Sequence, residues 1–199
     1  MDWFHAIRWA NTVSNPIVCT DGQLKGATED DLCRGTDLST WDPTSWLRAE
    51  ESSEGEEPDD VLQVCFDIPV FSARLRDALD SSAITGIQYL PIKVFDARGI
   101  ELEGFAIANL LNVLDVLDLK RSDYEVFGPD RPDRMGKIRD LRKAVIRMDA
   151  VEGCDIVRPR EFPFIILASR KFRNVFTEGK FTGFKFKKVH SLATSEERR

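Results

Sequence analysis

The feature that most constrains this chain is an internal match at a fixed offset of 97 residues. Residues 71–89, FSARLRDALDSSAITGIQY, align without a gap to residues 168–186, ASRKFRNVFTEGKFTGFKF. Ser72, Arg76, Thr85 and Gly86 return as Ser169, Arg173, Thr182 and Gly183. Leu75, Leu79, Ile84, Ile87 and Tyr89 return as Phe172, Phe176, Phe181, Phe184 and Phe186.

Both copies predict the same local structure. A short apolar run enters, VLQVCF before the first and FPFIILA before the second. A serine follows, whose hydroxyl can accept a free N–H of a first helical turn. Apolar residues at helical spacing, Leu75 and Leu79 or Phe172 and Phe176, then predict a helix of two to three turns. Gly86 or Gly183 stands at the turn out, where glycine tolerates positive φ. An alternating strand closes the unit, with Phe184 and Phe186 inward and Lys185 and Lys187 outward in the second copy. A single repetition at this period is not a solenoid. The expected fold is therefore α+β: a mixed, mainly antiparallel sheet with short helices, containing two copies of a strand–helix–strand unit. Capping and turn chemistry account for Ser72, Arg76, Thr85, Gly86, Ser169, Arg173, Thr182 and Gly183, with a ligand role for the two Thr-Gly turns as the alternative.

Elsewhere the pattern is less decisive. Asp96-Ala97-Arg98-Gly99 is a turn, and 128–133 (GPDRPD) a loop. Residues 104–118 fit a helical stripe through Ile107, Leu110, Leu111, Leu114 and Leu117, yet their β-rich neighbours argue for a strand. Residues 137–148 read as strand or helix. The expected organisation is an N-terminal segment and acidic loop (1–60) packed on a main domain (61–190), followed by a polar tail (191–199).

Net charge is −6, but it is unevenly spread. Residues 1–60 hold 14 acidic and 4 basic side chains, whereas from residue 157 onward there are 11 basic and 4 acidic. The acidic excess concentrates in AEESSEGEEPDD, with Glu50, Glu51, Glu54, Glu56, Glu57, Asp59 and Asp60. One reading is a solvated loop. The other is a surface steered onto a basic partner. All four tryptophans lie N-terminal to this stretch, and Trp41 and Trp46 read either as packing or as partner contacts.

No chemistry-bearing motif stands out. There are two histidines, His5 and His190, at opposite ends, and four cysteines (Cys19, Cys33, Cys65, Cys154) without a C-x-x-C pair, so no metal or cofactor is expected. Asp115 and Asp118 form a carboxylate pair in apolar context, with hydrogen-bonded structural roles as the competing account. Asn109 and Asn112 read as side chains bonded to backbone. The alternation of lysine and phenylalanine near the C-terminus is what a half-buried strand requires, so no nucleic-acid partner is expected. No window is long and apolar enough for a membrane helix and no secretory signal opens the sequence, so the expected address is cytoplasmic and the cysteines are expected as thiols.

The run S-x-R-L-R-x-A-L followed by I-T-G-I-x-Y-x-P, the D-x-x-G turn, the N-L-L-N-V-L-D-V-L-D stretch with Ser122 four residues on, and the ending E-F-P-F-I-I-L-A-S…F-T-G-F-K-F together resemble one family. It is the immunity-protein family of bacterial polymorphic toxin systems typified by a myxobacterial immunity protein, formerly a domain of unknown function. The resemblance spans roughly residues 61–190 and leaves the N-terminal segment and acidic stretch outside. It implies an inhibitor that binds a cognate toxin and occludes its active or essential surface, and it carries over no catalytic residue. An effector chaperone or adaptor, and a small enzyme with a carboxylate site at Asp115 and Asp118, are the alternatives. A basic toxin surface would complement the acidic stretch.

Overall fold

The computed structural model describes residues 2–8, 18–51, 57–64 and 68–192. In chain order the strands are β1 (Trp3–Arg8), β2 (Val18–Gln23), β3 (Trp46–Ala49), β4 (Val61–Val64), β5 (Val70–Ser72), β6 (Ile87–Pro91), β7 (Lys93–Phe95), β8 (Glu101–Leu102) and β9 (Phe105–Leu110). They continue as β10 (Val113–Leu114), β11 (Asp123–Val126), β12 (Ile138–Lys143), β13 (Val145–Arg147), β14 (Ile156–Pro159), β15 (Ile166–Ser169), β16 (Phe184–Lys188) and β17 (His190–Leu192). The helices are α1 (Glu29–Cys33), α2 (Ala73–Ser81) and α3 (Arg170–Glu178). The architecture is mixed α+β, mostly antiparallel, with few and short helices.

Ser72 and Ser169 each end a strand and start a helix. Ser72 Oγ accepts from Leu75 N–H at 3.3 Å, and Ser169 Oγ from Phe172 N–H at 3.1 Å. Each satisfies one of the donors a helix leaves open at its start. Both helices also end alike. Ile84 N–H reaches back to Leu79 O and Phe181 N–H to Phe176 O, with Ala83 (φ 50°) and Lys180 (φ 51°) in the left-handed region. Gly86 and Gly183 follow at φ 85° and 98°.

The helices meet over one core. Leu75 and Leu79 of α2 and Phe172 and Phe176 of α3 pack with Phe71, Ala108, Ile156, Ile166 and Phe184, drawn from two sheets. Phe176 alone faces the rings of Phe181, Phe184 and Phe186 at centroid distances of 5.3–5.8 Å. Removing such a ring typically costs about 3–5 kcal/mol.

The two large sheets run in the same strand order. One is β6-β9-β5-β4-β2, extended by β3, β7 and β8; the other is β16-β1-β15-β14-β10. In both, the strands flanking the helix sit on either side of a third strand, antiparallel to each: β9 between β5 and β6, β1 between β15 and β16.

Residues 1–60 supply strands to both large sheets. β1 lies inside the five-stranded sheet, and β2 and β3 lie inside the eight-stranded one. Trp3, Phe4 and Ala6 are buried on both faces of β1, which a strand covered only from outside would not show. Likewise β17 runs to Leu192, two residues into the expected polar tail; residues 193–199 lie outside the described residues. Residues 105–110, left open between helix and strand, are a strand buried on both faces, so their apolar run carries no period. Residues 138–143 and 145–147 are also strands.

Candidate functional site

The acidic stretch divides where it meets the fold. Glu51 and Glu57 are exposed and Glu50 is half-buried, while Glu54 and Glu56 lie outside the described residues. Asp59 and Asp60 are only 8% and 5% exposed, so they leave the solvated surface. They are taken inward because β4 begins directly after them, against the Thr182 turn.

Asp60 ties three segments together. Its carboxylate accepts Ser72 Oγ–H at 2.7 Å, Thr182 N–H at 2.9 Å and the Arg74 guanidinium. Its own N–H donates to Thr182 Oγ1 at 3.1 Å, and its carbonyl accepts Ser72 N–H at 2.8 Å. A buried carboxylate with this many donors is a structural anchor. Burial raises the pKa of neighbouring Asp59, offset in part by a hydrogen bond from Thr182.

Asp155 likewise stands directly before a strand, β14. Its carboxylate accepts Ser169 Oγ–H at 2.7 Å and Lys171 Nζ–H at 3.2 Å, and its carbonyl accepts Ser169 N–H at 2.8 Å. Lys171 also donates to Ala83 O, and Arg74 to Gly179 O, so the helix starts reach across to each other's helix ends. Neither aspartate was singled out by the internal match, because both lie upstream of the aligned residues.

The remaining motif residues have local contacts. Arg76 donates to Gly104 O at 3.1 Å and lies over the Tyr89 ring; Arg173 lies over Phe4. Thr85 is exposed, whereas its counterpart Thr182 is half-buried against Asp60. Gly183 is held tightly: a Cβ there would come within 2.3 Å of Val61 O.

The tryptophans are anchored. Trp41 donates its Nε1–H to Pro91 O at 2.7 Å, and the half-buried Trp46 ring carries the Arg48 guanidinium 5.6 Å above it. Trp3 is buried, and Trp9 lies outside the described residues.

Asp115 and Asp118 have separate partners. Asp115 is exposed and faces Arg160 at 3.6 Å; Asp118 accepts Lys120 N–H at 3.0 Å and pairs with Arg121. Asp118 is held by its own turn, as Asx motifs are, and Asp115 by the distant Arg160. Asn109 and Asn112 donate to the carbonyls of Thr36 and Ile156. Among the described residues Cys19, Cys33 and Cys154 form no disulfide, and Cys65 lies outside the described residues. Among the described residues no cluster of three or more His, Cys, Asp or Glu is placed to hold a metal, and no helix is long and apolar enough to cross a membrane.

Two of the clefts among the described residues are formed mainly by the second half of the chain. One, of about 540 Å³, is lined by Leu119, Phe127, Phe162 and Phe164 with Arg134 and Lys137 at its rim. Phe164 is 51% exposed there. The other, of about 280 Å³, lies against β1, β12 and β16 and includes His5, Lys143, Lys187 and His190. None of its lining residues is acidic.

A family model for immunity proteins, Imm11, matches residues 9–191. The chain belongs to the Imm11 immunity protein family. The Imm11 match begins at residue 9, so it takes in the N-terminal segment and acidic stretch that the resemblance left outside. Within that match β2 and β3 are strands of the eight-stranded sheet. No curated protein matches the chain.

Proposed function

We propose that this chain is a stoichiometric inhibitor that binds a cognate toxin and covers its active or otherwise essential surface. The observation that carries the reading is Imm11 membership over nearly the whole chain. Inhibition by coverage asks only for a firm, complementary surface, and the anchored Asp60 knot and Phe-rich core supply a rigid one. The exposed carboxylates Glu51 and Glu57 flank a stretch that would steer a basic toxin surface onto the first half. The site of action is the cytoplasm of the producing cell.

The test is co-expression with the toxin domain encoded by the adjacent gene. The expected result is rescue of growth, a one-to-one complex on gel filtration and loss of toxin activity in that complex. Protection at sub-stoichiometric amounts would point instead to an enzyme, and a complex with full toxin activity to an adaptor. Glu51→Gln with Glu57→Gln is expected to slow association at low salt; unchanged rates would remove the acidic stretch from the interface.

The scaffold is read as two copies of one unit, longer than the internal match. The first runs β1, β2, β4, β5, α2, β6, and the second β9, β10, β14, β15, α3, β16, with the leading strands exchanged between the two sheets. Supporting this, the parallel pairs Val18↔Gln63 and Val113↔Arg158 occupy the same place, as do Val61↔Phe71 and Ile156↔Ala168.

A further inference from the structure

One row of residues crosses each large sheet on the face away from its helix. In the first sheet it reads Leu62–Val70–Ile107–Leu90, each residue paired with the next. In the second it reads Val157–Leu167–His5–Lys187 by the same pairings. The next row outward pairs Asn109 with Gln88 in the first sheet and Ile7 with Lys185 in the second. The outer ends of these rows are therefore equivalent positions with different chemistry.

In the first sheet that position is filled by the chain itself. Leu38, only 8% exposed, packs with Leu90 and Ile107 in one core cluster. Its N–H donates to Gln88 Oε1 at 3.0 Å, Gln88 Nε2 donates to Asp37 at 3.0 Å, and Asn109 Nδ2 donates to Thr36 O at 2.8 Å. The covering piece is thus an extended Thr-Asp-Leu segment with one apolar anchor and one carboxylate.

In the second sheet the same position is open. It is the cleft of about 280 Å³, floored by Ile7 and Ile165 and flanked by His5, Lys143 and Lys187. Lys188 and Arg142 on its rim are already paired, with Asp2 and Asp123 respectively. Among the described residues Lys143 and Lys187 have no carboxylate within ion-pair distance. Two unneutralised cations beside an apolar floor call for the covering chemistry seen in the other half, with more negative charge.

We propose that this cleft is a docking site for an extended acidic segment of the toxin, with an apolar side chain on Ile7 and Ile165 and carboxylates on Lys143 and Lys187. The assignment rests on the inhibitor reading for the identity of the partner, but the chemistry of the cleft does not. It also makes the toxin-facing surface bipolar: acidic at Glu51 and Glu57, basic here.

The test uses the full chain and two probes. The first is the peptide acetyl-Glu-Asp-Leu-Glu-Asp-amide, followed by NMR. Saturable shifts are expected at His5, Lys143 and Lys187, and these should vanish in the Lys143→Glu/Lys187→Glu double variant, whose substitutions are at exposed positions. No saturable shift at millimolar peptide, or shifts indifferent to the double variant, would overturn the cleft as an acidic-segment site. The second probe is the adjacent-gene toxin domain. The double variant should bind it at least tenfold more weakly, while Lys93→Glu, on the other sheet, should not. If wild type binds the toxin and the double variant binds it equally, the docking assignment fails and the inhibitor reading stands. If wild type does not bind it, the inhibitor reading fails and the toxin assignment with it, while the peptide result still decides the cleft's chemistry.

Discussion

The Asp60 carboxylate accepts the Thr182 N–H at 2.9 Å, joining residues 122 apart in sequence and binding the first strand after the acidic stretch to the turn after α3. Thr182 Oγ1–H adds a longer bond to the same carboxylate, and the Ser72 and Arg74 donors come from the start of α2. The contact therefore links the two helix-bearing units directly.

Asp60→Ala is expected to destabilise the protein by about 3 kcal/mol, because it leaves Ser72 Oγ and the Thr182 and Arg74 donors without their acceptor. Asp155→Ala should cost less, since Asp155 accepts side-chain bonds only from Ser169 and Lys171 and keeps no bond to a distant turn. Urea unfolding of the two variants checks the order; equal losses would count against Asp60 as the cross-link between units.

Gly183→Ala should be markedly worse than Gly86→Ala. Both sites have positive φ, which charges any side chain about 1–2 kcal/mol. At Gly183 the new Cβ meets the Val61 carbonyl at 2.3 Å, which is backbone inside a sheet. At Gly86 it meets the Asn112 side chain at 2.2 Å, which can rotate away at the expense of its bond to Ile156 O. Thermal unfolding of the pair reads the difference.

His5 gives stability a pH dependence. Burial first, and Lys187 second, lower its pKa from 6.5. Below about 6.5 the unfolded chain binds a proton that the folded chain refuses, so stability falls as pH falls from there through the lowered folded value. Lys187 on β16, Lys143 on β12 and His190 on β17 line the same cleft as His5. His5→Gln should flatten that part of the profile in denaturant titrations between pH 7 and 5. An unchanged slope would mean that His5 takes its proton as freely in the fold as out of it.

Trp41→Phe should lower stability by about 1 kcal/mol through loss of the bond to Pro91 O. Toxin affinity is expected to hold, because the indole N–H already has its partner within the chain. A large loss of affinity at unchanged stability would make Trp41 a partner contact.

Local chemistry made much of this fold legible. Ser72, Ser169, Gly86 and Gly183 do their work within a few residues, so the sequence pattern predicts their caps and turns. β9 was ambiguous because Ala106 to Leu110 are buried on both faces, which erases the alternation that marks a strand. β1 was harder still: its partners begin at Ile166, and nothing in Trp3-Phe4-His5 names a strand so far along the chain. The candidate surfaces followed the same division. Charge counting located the acidic stretch, but only the fold shows that Asp59 and Asp60 belong to the interior. The cationic cleft draws Lys143 and Lys187 from separate strands beside His5, and no spacing in sequence brings those three together.

The position of β1 has a consequence for synthesis. Residues 3–8 are made long before both of their neighbouring strands, β15 and β16. At ordinary elongation rates the strand waits on the order of ten seconds or more without its partners. The five-stranded sheet closes only once β16 has been made, so no product truncated before β16 carries a finished cleft between β1 and β16. A fragment that ends before β16 therefore lacks the proposed docking cleft, whatever else of the fold it has formed.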